Sequence, residues 1–116
     1  MDKKKETTRN AYKISISTNA IRNIDEITGY IAFINKQPIN AIIVGDALIE
    51  TIHRIEKHPF SFKECELLPT KLKKYRQAIC KSWNIIYKIN KNSIMILGIV
   101  HVSRKPSKLK TLKKAK

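Results

Sequence analysis

The chain has 116 residues and a mass of 13.4 kDa, which is typical of one domain. Apolar residues make up 42% of it, so collagen-like, disordered and coiled-coil classes are excluded for most of the chain. No apolar run approaches the roughly 20 residues that span a bilayer. The charged start predicts no secretory signal peptide. We therefore expect a soluble, cytoplasmic, single-domain protein.

Charge is strongly segregated along the chain. The 24 Lys and Arg residues outnumber the 9 Asp and Glu residues, which gives a net charge of +15. All nine acids lie at or before Glu66, where ten basic residues nearly balance them, so the other 14 basic residues (24 − 10) face no acid from Leu67 onward. A half of the chain with this much positive charge predicts a nucleic acid, an acidic protein or a membrane surface as its partner. A lysine-rich composition that serves solubility is the alternative, but it does not explain why the acids stop at residue 66.

The first half of the chain predicts a strand and then a helix. Residues 1–10 are polar and are expected to form a flexible N-terminus. Residues 12–17 alternate apolar and polar side chains, as a half-buried strand does. Thr18 or Asn19 can then cap a helix that runs to about Asn35. Its predicted buried face consists of Ala20, Ile24, Ile27, Ile31 and Ile34, broadened by Ile21 and Tyr30.

A second helix is predicted between two prolines. Pro38 suits its first turn, and Pro59 ends it near His58. Its apolar positions repeat at a heptad-like spacing, which indicates a seam for a neighbouring helix. The seam consists of Ala41, Gly45, Leu48, Ile52 and Ile55. We expect Gly45 to allow a close approach of the first helix, so that the two form a helical hairpin.

The second half of the chain predicts a loop over residues 59–70 and then three strands. The strands are residues 75–80, 83–89 and 94–102, joined by a turn at Lys81 and Ser82 and another at residues 90–93. The last strand is nearly all apolar, as a strand covered on both faces is. The fold class is therefore α+β, with an N-terminal strand, a two-helix hairpin and three mostly antiparallel strands whose sheet packs on the helices. Residues 11–105 form the domain, and residues 106–116 form a basic C-terminal tail.

Little in the sequence points to a metal or a cofactor. Cys65, Cys80 and the three histidines lack metal-ligand spacing, and three glycines form no phosphate-binding loop. We expect no cofactor, no metal and two reduced, dispensable cysteines. Cys80 ends an apolar strand, where it would be a small buried hydrophobe.

Basic side chains bracket the three C-terminal strands, with aromatic residues among them. Arg can stabilise charge on a phosphate, His or Tyr can move a proton, and aromatic rings can stack on bases. A nuclease is therefore chemically possible. The alternative is that Trp83 and Tyr87 are core aromatics, and His101 is equally open between an ordinary and a functional role. The basic residues are Lys71, Lys73, Lys74, Arg76, Lys81, Lys88, Arg104 and Lys105.

The order and spacing of these segments resemble the RelE/ParE superfamily of type II toxin–antitoxin toxins. The similar segments are residues 12–20, 24–31, 52–59, 75–76, 83–89 and 94–104. The resemblance covers about residues 11–105. It implies a small bacterial toxin of the cytoplasm that a cognate acidic antitoxin from the same operon neutralises, with no membrane partner.

Within the superfamily, the chain looks more like the ParE branch. RelE-like nucleases typically carry an Arg in the strand that ends in two hydrophobic residues and a Tyr, and a further Tyr near the C-terminus. Here Asn84 takes the first position, and no Tyr follows Tyr87. The resemblance therefore implies growth inhibition by binding DNA gyrase without catalysis. The alternative is a ribosome-dependent mRNA endoribonuclease, whose catalytic candidates are Arg76, His101 and Arg104.

The target-binding surface is predicted on the basic face of the sheet and at the start of the tail. The resemblance implies that the strand of Arg76 and the strand that leads to Arg104 and Lys105 are near neighbours; if they are, their basic groups converge. Trp83 and Asn84 begin the strand between the two turns and are expected to line the same surface. The predicted target-binding residues are Arg76, Trp83, Asn84, His101, Arg104 and Lys105.

Overall fold

The computed structural model describes residues 12–65, 68 and 74–103. Its elements are β1 (Lys13–Ile16), α1 (Thr18–Gly29), a π-helical segment (Tyr30–Ile34), α2 (Pro38–Lys57), a 3₁₀ turn (Pro59–Ser61), β2 (Tyr75–Cys80), β3 (Trp83–Asn90) and β4 (Ser93–His101). The strands form one sheet in the order β1-β4-β3-β2, in which β1 is parallel to β4 and the other pairs are antiparallel. The α+β class is confirmed. The limits predicted at residues 11 and 105, and the tail, lie outside the described residues.

The central strand β4 is buried on both faces of the sheet. On the face toward the helices, Ile94 and Ile96 pack with Ile85 and Tyr87 of β3. On the opposite face, Leu97 packs in a second cluster, which includes Cys65, Leu68, Tyr75 and Ile86. This two-sided burial explains the nearly continuous apolar sequence of β4.

A β-bulge in β4 makes backbone groups of this strand available to side chains of α1 and its cap. Tyr87 pairs with Ile96 and Ile86 pairs with Gly98, so Leu97 has no partner residue in β3. The Leu97 carbonyl accepts hydrogen bonds from Ser17 Oγ at 2.9 Å and from Asn19 Nδ2 at 3.1 Å.

The side chain of Asn23 makes a further hydrogen bond to the backbone of β4: its Oδ1 accepts the Ile99 N–H at 2.9 Å. Strand β1 ends at Ile16, opposite Ile96. Side chains of α1 and its cap therefore satisfy backbone groups of β4 that no strand pairs on that side.

Helix α1 differs from its prediction at both ends. Thr18 or Asn19 is wrong as the cap, because the Oγ of Ser17 accepts the Ala20 N–H at 3.0 Å. At the other end, Asn35 N–H donates to Tyr30 O, five residues back, so the backbone leaves the 3.6-residue period. The predicted face is also too wide: Ile21, Tyr30 and Ile34 are 50%, 57% and 64% exposed.

The seam predicted for α2 is confirmed. Ala41, Leu48, Ile52 and Ile55 are all buried. A Cβ atom built on Gly45 would stand 3.3 Å from the Cγ2 of Thr28 in α1. The missing side chain of Gly45 therefore lets the two helices approach closely, as the spacing predicts. Neither helix in the described part of the chain is long and apolar enough to cross a membrane.

Both β-hairpins turn through two residues, and a lysine occupies the first position of each turn. Lys81 and Ser82 join β2 to β3 as predicted, while β3 extends to Asn90 and shortens the second turn to Lys91 and Asn92. The φ angles of Lys81 and Lys91 are 54° and 53°, and Lys36, between the helices, has a φ of 57°. These left-handed conformations favour glycine or asparagine.

We predict that Gly45→Val lowers the free energy of unfolding by about 1–3 kcal/mol, because the added side chain collides with Thr28 across the helix seam. Thr28→Ser removes the opposing methyl group and keeps the hydroxyl that donates to Ile24 O at 2.9 Å. We expect it to restore part of the loss in the double variant.

Urea denaturation measures these values. Gly29→Val is the matched control, because a Cβ atom on Gly29 meets nothing within 4 Å. We expect the control to change stability by less than about 0.5 kcal/mol. Equal losses at Gly45 and Gly29 would contradict the close approach.

Candidate functional site

Arg76 lies on β2 opposite Tyr87 and holds the segment that follows α2. Its Nη1 donates to Phe62 O at 2.7 Å and lies 3.4 Å from Phe60 O. The centre of its guanidinium is 5.0 Å from the centroid of the Phe60 ring, and its Nε is buried without a hydrogen-bond partner among the described residues. These contacts give Arg76 a structural role that its sequence position does not indicate.

Tyr87 is a core aromatic residue, which is one of the two roles that the sequence leaves open for it. Its side chain is fully buried, and its hydroxyl donates to Pro59 O at 2.6 Å. Burial raises the pKa of the phenol well above its usual value of 10.0, and the nearby Arg76 cation only partly opposes this shift. The Phe62 ring meets the Tyr87 ring edge-on, with the centroids 6.4 Å apart. Arg76 and Tyr87 together therefore fix residues 59–62 to the sheet.

Trp83 and His101 form a second group, at the other end of the sheet. They pair across β3 and β4, and their rings meet edge to face with the centroids 6.1 Å apart. Trp83 is half-buried against the core, while His101 is exposed. The His101 Nδ1 accepts the Ser103 N–H at 3.2 Å and lies 2.9 Å from Ser103 Oγ. Because Nδ1 accepts this bond, Nε2 carries the proton of the neutral ring.

The structure separates residues that the sequence analysis groups on one surface. Asn84 faces away from the helices, and its Oδ1 accepts a hydrogen bond from Gln77 Nε2 at 3.1 Å. Its neighbour Trp83 faces the helices, since successive side chains of a strand point to opposite sides. The prediction that these two residues line the same surface is therefore wrong. Arg104 and Lys105 lie outside the described residues.

The strand of Arg76 is not a neighbour of the strand that ends at His101, because β3 lies between β2 and β4. Arg76 is level with Tyr87, whereas His101 is level with Trp83. Four residues along β3 correspond to about 13 Å. The two strands are therefore not direct neighbours, and the condition for the convergence of Arg76 with the end of β4 is not met. The role of each predicted site residue in binding the target stays a prediction.

The cysteines lie on opposite faces of the sheet. Both are buried, with Cys80 in the cluster under the helices and Cys65 in the cluster on the other face. Within the described ranges, His, Cys, Asp and Glu side chains form no group of three that could hold a metal ion.

The helical hairpin carries an exposed apolar surface that the sequence analysis did not identify. Its sequence signal is a set of apolar residues outside the buried seam, with Lys36 as the single charge between residues 30 and 43. Exposed apolar patches of this kind mark protein interfaces. We call this surface the hairpin patch; it consists of Tyr30 (57% exposed), Phe33 (78%), Ile34 (64%), Ile39 (69%), Ile42 (60%) and Ile43 (50%).

A cleft of about 340 Å³ lies between α1 and the ends of β3 and β4. Trp83 and His101 line it from the sheet, and Glu26 and Tyr30 line it from the helical side. Trp83 and His101 are both predicted site residues, whereas no sequence signal marks the helical residues, since their approach depends on how α1 crosses the sheet.

Comparison with solved structures places this fold among toxin–antitoxin proteins. It is similar to a chain of the chromosomal ParDE system from P. aeruginosa, with 15% identity, a TM-score of 0.63, and coverage of 81% of this chain and 99% of that one. It is also similar to a chain of the RelBE2 toxin–antitoxin complex from Mycobacterium tuberculosis, with 17% identity, a TM-score of 0.55, and coverage of 78% and 98%. No curated protein sequence matches the chain.

The fold is that of the RelE/ParE superfamily of toxins. Residues 14–106 match the family described as the ParE toxin of the type II toxin–antitoxin system parDE, and the chain belongs to that family. It is therefore a toxin of a type II toxin–antitoxin system, as the resemblance implies.

We predict that Tyr87→Phe lowers the free energy of unfolding by about 1–3 kcal/mol, because the Pro59 carbonyl loses its donor in a buried place. Tyr30→Phe is the matched control, since the Tyr30 side chain is 57% exposed. The control should change stability by less than about 0.5 kcal/mol. Chemical denaturation at neutral pH measures both, and equal values would contradict the importance of the Tyr87 hydroxyl.

The same variant gives a pH test. Above about pH 10 a tyrosine of the unfolded chain loses its proton, while the raised pKa keeps folded Tyr87 protonated. The unfolded state then binds fewer protons, so wild-type stability falls as pH rises above about 10. The stability difference between wild type and Tyr87→Phe should shrink between about pH 8 and pH 11.

Proposed function

We propose that this toxin inhibits growth by binding DNA gyrase, that it does so without catalysis, and that a cognate acidic antitoxin neutralises it in the cytoplasm. The match of residues 14–106 to the ParE family carries this proposal. The resemblance in the sequence supports the same branch, since Asn84 stands where the nucleases typically carry Arg.

The arrangement of the candidate catalytic groups also supports binding over catalysis. General acid–base catalysis needs groups within about 3 Å of the reacting atoms. Arg76 and His101 are four residues apart along the strand direction and two strands apart across the sheet. The Arg76 guanidinium already binds the Phe62 carbonyl, and the Tyr87 hydroxyl binds the Pro59 carbonyl. These three groups do not converge on one phosphate.

The second candidate function is ribosome-dependent cleavage of mRNA. One observation favours it: His101 is exposed, and its ring is oriented by a hydrogen bond to Ser103. A histidine held in this way is suited to proton transfer through Nε2. Arg104 and Lys105 follow closely in the sequence and could contact phosphate.

The charge and the hairpin patch support an acidic antitoxin as a partner. A net charge of +15 attracts an acidic protein and speeds its association. The hairpin patch supplies exposed apolar area of the kind that a protein partner buries. The P. aeruginosa and M. tuberculosis neighbours are themselves parts of toxin–antitoxin assemblies.

We predict that the wild-type toxin inhibits DNA supercoiling by gyrase and leaves no discrete cuts in translated mRNA. His101→Ala should weaken this inhibition by about 30-fold or less, since one interface residue contributes on the order of 1–2 kcal/mol. Loss of a general acid or base costs about 10²–10⁴-fold.

Growth inhibition, supercoiling and mapped mRNA ends are measured in parallel on proteins shown to be folded. His53→Ala is the matched control, because His53 is an exposed histidine on α2. Discrete mRNA cuts that disappear in His101→Ala would replace the gyrase proposal with the nuclease. Arg76→Ala is a poor probe of either, since it also releases residues 60–62.

We predict that Ile42→Asp weakens antitoxin binding by at least about tenfold, because it places a charge in the centre of an apolar contact. The antitoxin is produced from the gene beside the toxin gene, and calorimetry measures its affinity. Ile79→Asp is the matched control, since Ile42 and Ile79 are both 60% exposed but Ile79 lies on β2, away from the hairpin. Equal losses from the two substitutions would refute docking on the hairpin patch.

A further inference from the structure

The cleft between α1 and the sheet has a helical side, with Glu26 and Tyr30, that the proposed gyrase binding does not use. Three rings, those of Tyr30, Trp83 and His101, line it together with the carboxylate of Glu26. Its volume of about 340 Å³ is at the small end of the range for ligand sites, and it suits one long side chain.

Several contacts fix the walls of the cleft. On the helical side, Asn23 Oδ1 accepts the Ile99 N–H at 2.9 Å and ties α1 to β4 one turn before Glu26. On the sheet side, Trp83 and His101 pack edge to face, and His101 Nδ1 accepts the Ser103 N–H. These contacts hold the α1 backbone and the Trp83–His101 pair in place before any ligand binds, which lowers part of the entropic cost of binding.

The charge of the cleft is opposite to that of the molecule. Glu26 lines it and Asp25 is adjacent in the sequence, in a protein of net charge +15. Among the described residues, no hydrogen bond or ion pair engages the Glu26 carboxylate; Arg22, four residues earlier on α1, makes none with it. An available carboxylate beside aromatic rings attracts a cation and repels phosphate and carboxylate ligands.

We propose that this cleft is a binding site for the cationic side chain of an arginine or lysine. An aromatic face attracts a cation within about 6 Å of the ring centroid, and the cleft contains the rings of Tyr30 and Trp83 together with the opposite charge of Glu26. Arginine fits best, because its planar guanidinium is weakly hydrated and stacks on aromatic rings. The site shares Trp83 and His101 with the predicted target-binding residues and Tyr30 with the hairpin patch, but its test uses neither gyrase nor the antitoxin.

Two polypeptides can supply this cation. One is a partner protein that presents an arginine or lysine. The other is the chain itself, since residues 104–116 follow Ser103, two residues beyond His101, and contain seven Lys and Arg and no acid. A tethered segment acts at an effective concentration in the millimolar range. The two sources share the same chemistry, and the experiment below separates them.

Trp83 is the only tryptophan of the chain, so its fluorescence reports on the cleft. Full-length toxin is titrated with N-acetyl-arginine amide and, separately, with N-acetyl-citrulline amide, which has the same shape without the charge. We expect the arginine probe to change Trp83 emission at millimolar concentration and the citrulline probe to need about tenfold more.

Glu26→Gln should weaken the binding of the arginine probe by about threefold or more and leave the binding of the citrulline probe unchanged. Glu50→Gln, an exposed acid on α2, is the matched control and should change neither. Tyr30→Leu removes one ring from an exposed position and should also weaken the arginine probe. Equal affinity for the two probes, or an arginine affinity that Glu26→Gln does not change, would overturn the proposal.

A full-length variant in which the seven tail cations are replaced by glutamine separates the two sources. If the tail supplies the cation, this variant binds the arginine probe more tightly than wild type, because the competitor is gone. If a partner protein supplies it, the variant and wild type bind the probe equally. Tighter binding by the variant assigns the tail as the occupant, whereas equal binding excludes the tail and leaves a partner protein as the source.

Discussion

The backbone of one short stretch of β4 determines how the two layers of this toxin fit together. At the bulge, the Leu97 carbonyl lacks a strand partner on the side of β1, and two residues later the Ile99 N–H also lacks one. Ser17, Asn19 and Asn23 bind these groups, and this fixes where α1 begins and how it crosses the sheet. An unpaired backbone group in this buried place would cost about 1–3 kcal/mol, so the attachment is strongly favoured. The contact of α2 with α1 and the shape of the aromatic cleft both follow from it.

Local patterns predicted the parts of the fold that depend on local physics. The strand Tyr75–Cys80 and its turn were predicted to the residue, because alternation and a break in hydrophobicity define a strand and its end. The seam of α2 was predicted because heptad spacing places Leu48 and Ile52 on one stripe. The start of α1 was missed because Ser17 fits two patterns: it completes the alternation of the strand, and it also caps the helix. The π-helical segment was missed because a fixed 3.6-residue period cannot signal its own interruption.

The site was harder to predict, since its geometry depends on contacts between residues distant in sequence. In the sequence, Arg76 is one basic residue among many, but in the structure its guanidinium donates to the carbonyl of Phe62, 14 residues earlier. Trp83 and His101 were paired correctly as candidates, but Glu26 joins them only through the crossing of α1 over β4. The separation of Trp83 from Asn84 was available from the two-residue period of a strand, which the sequence analysis did not apply to the site. The family resemblance, carried by the order of segments, was the stronger guide to function.

The two hairpin turns have an electrostatic consequence for how this toxin meets other molecules. Lys81 and Lys91 adopt left-handed backbone conformations, which cost a residue with a side chain roughly 1–2 kcal/mol relative to the right-handed region. They stand at opposite ends of β3, which is 8 residues long, so the sheet carries a cation at each tip. Two equal positive charges at opposite ends of the sheet attract an anionic surface from a distance, but they do not turn one end of the sheet toward it in preference to the other. Long-range attraction therefore shortens the search for a partner without selecting its orientation, and the angle of docking is left to short-range contacts.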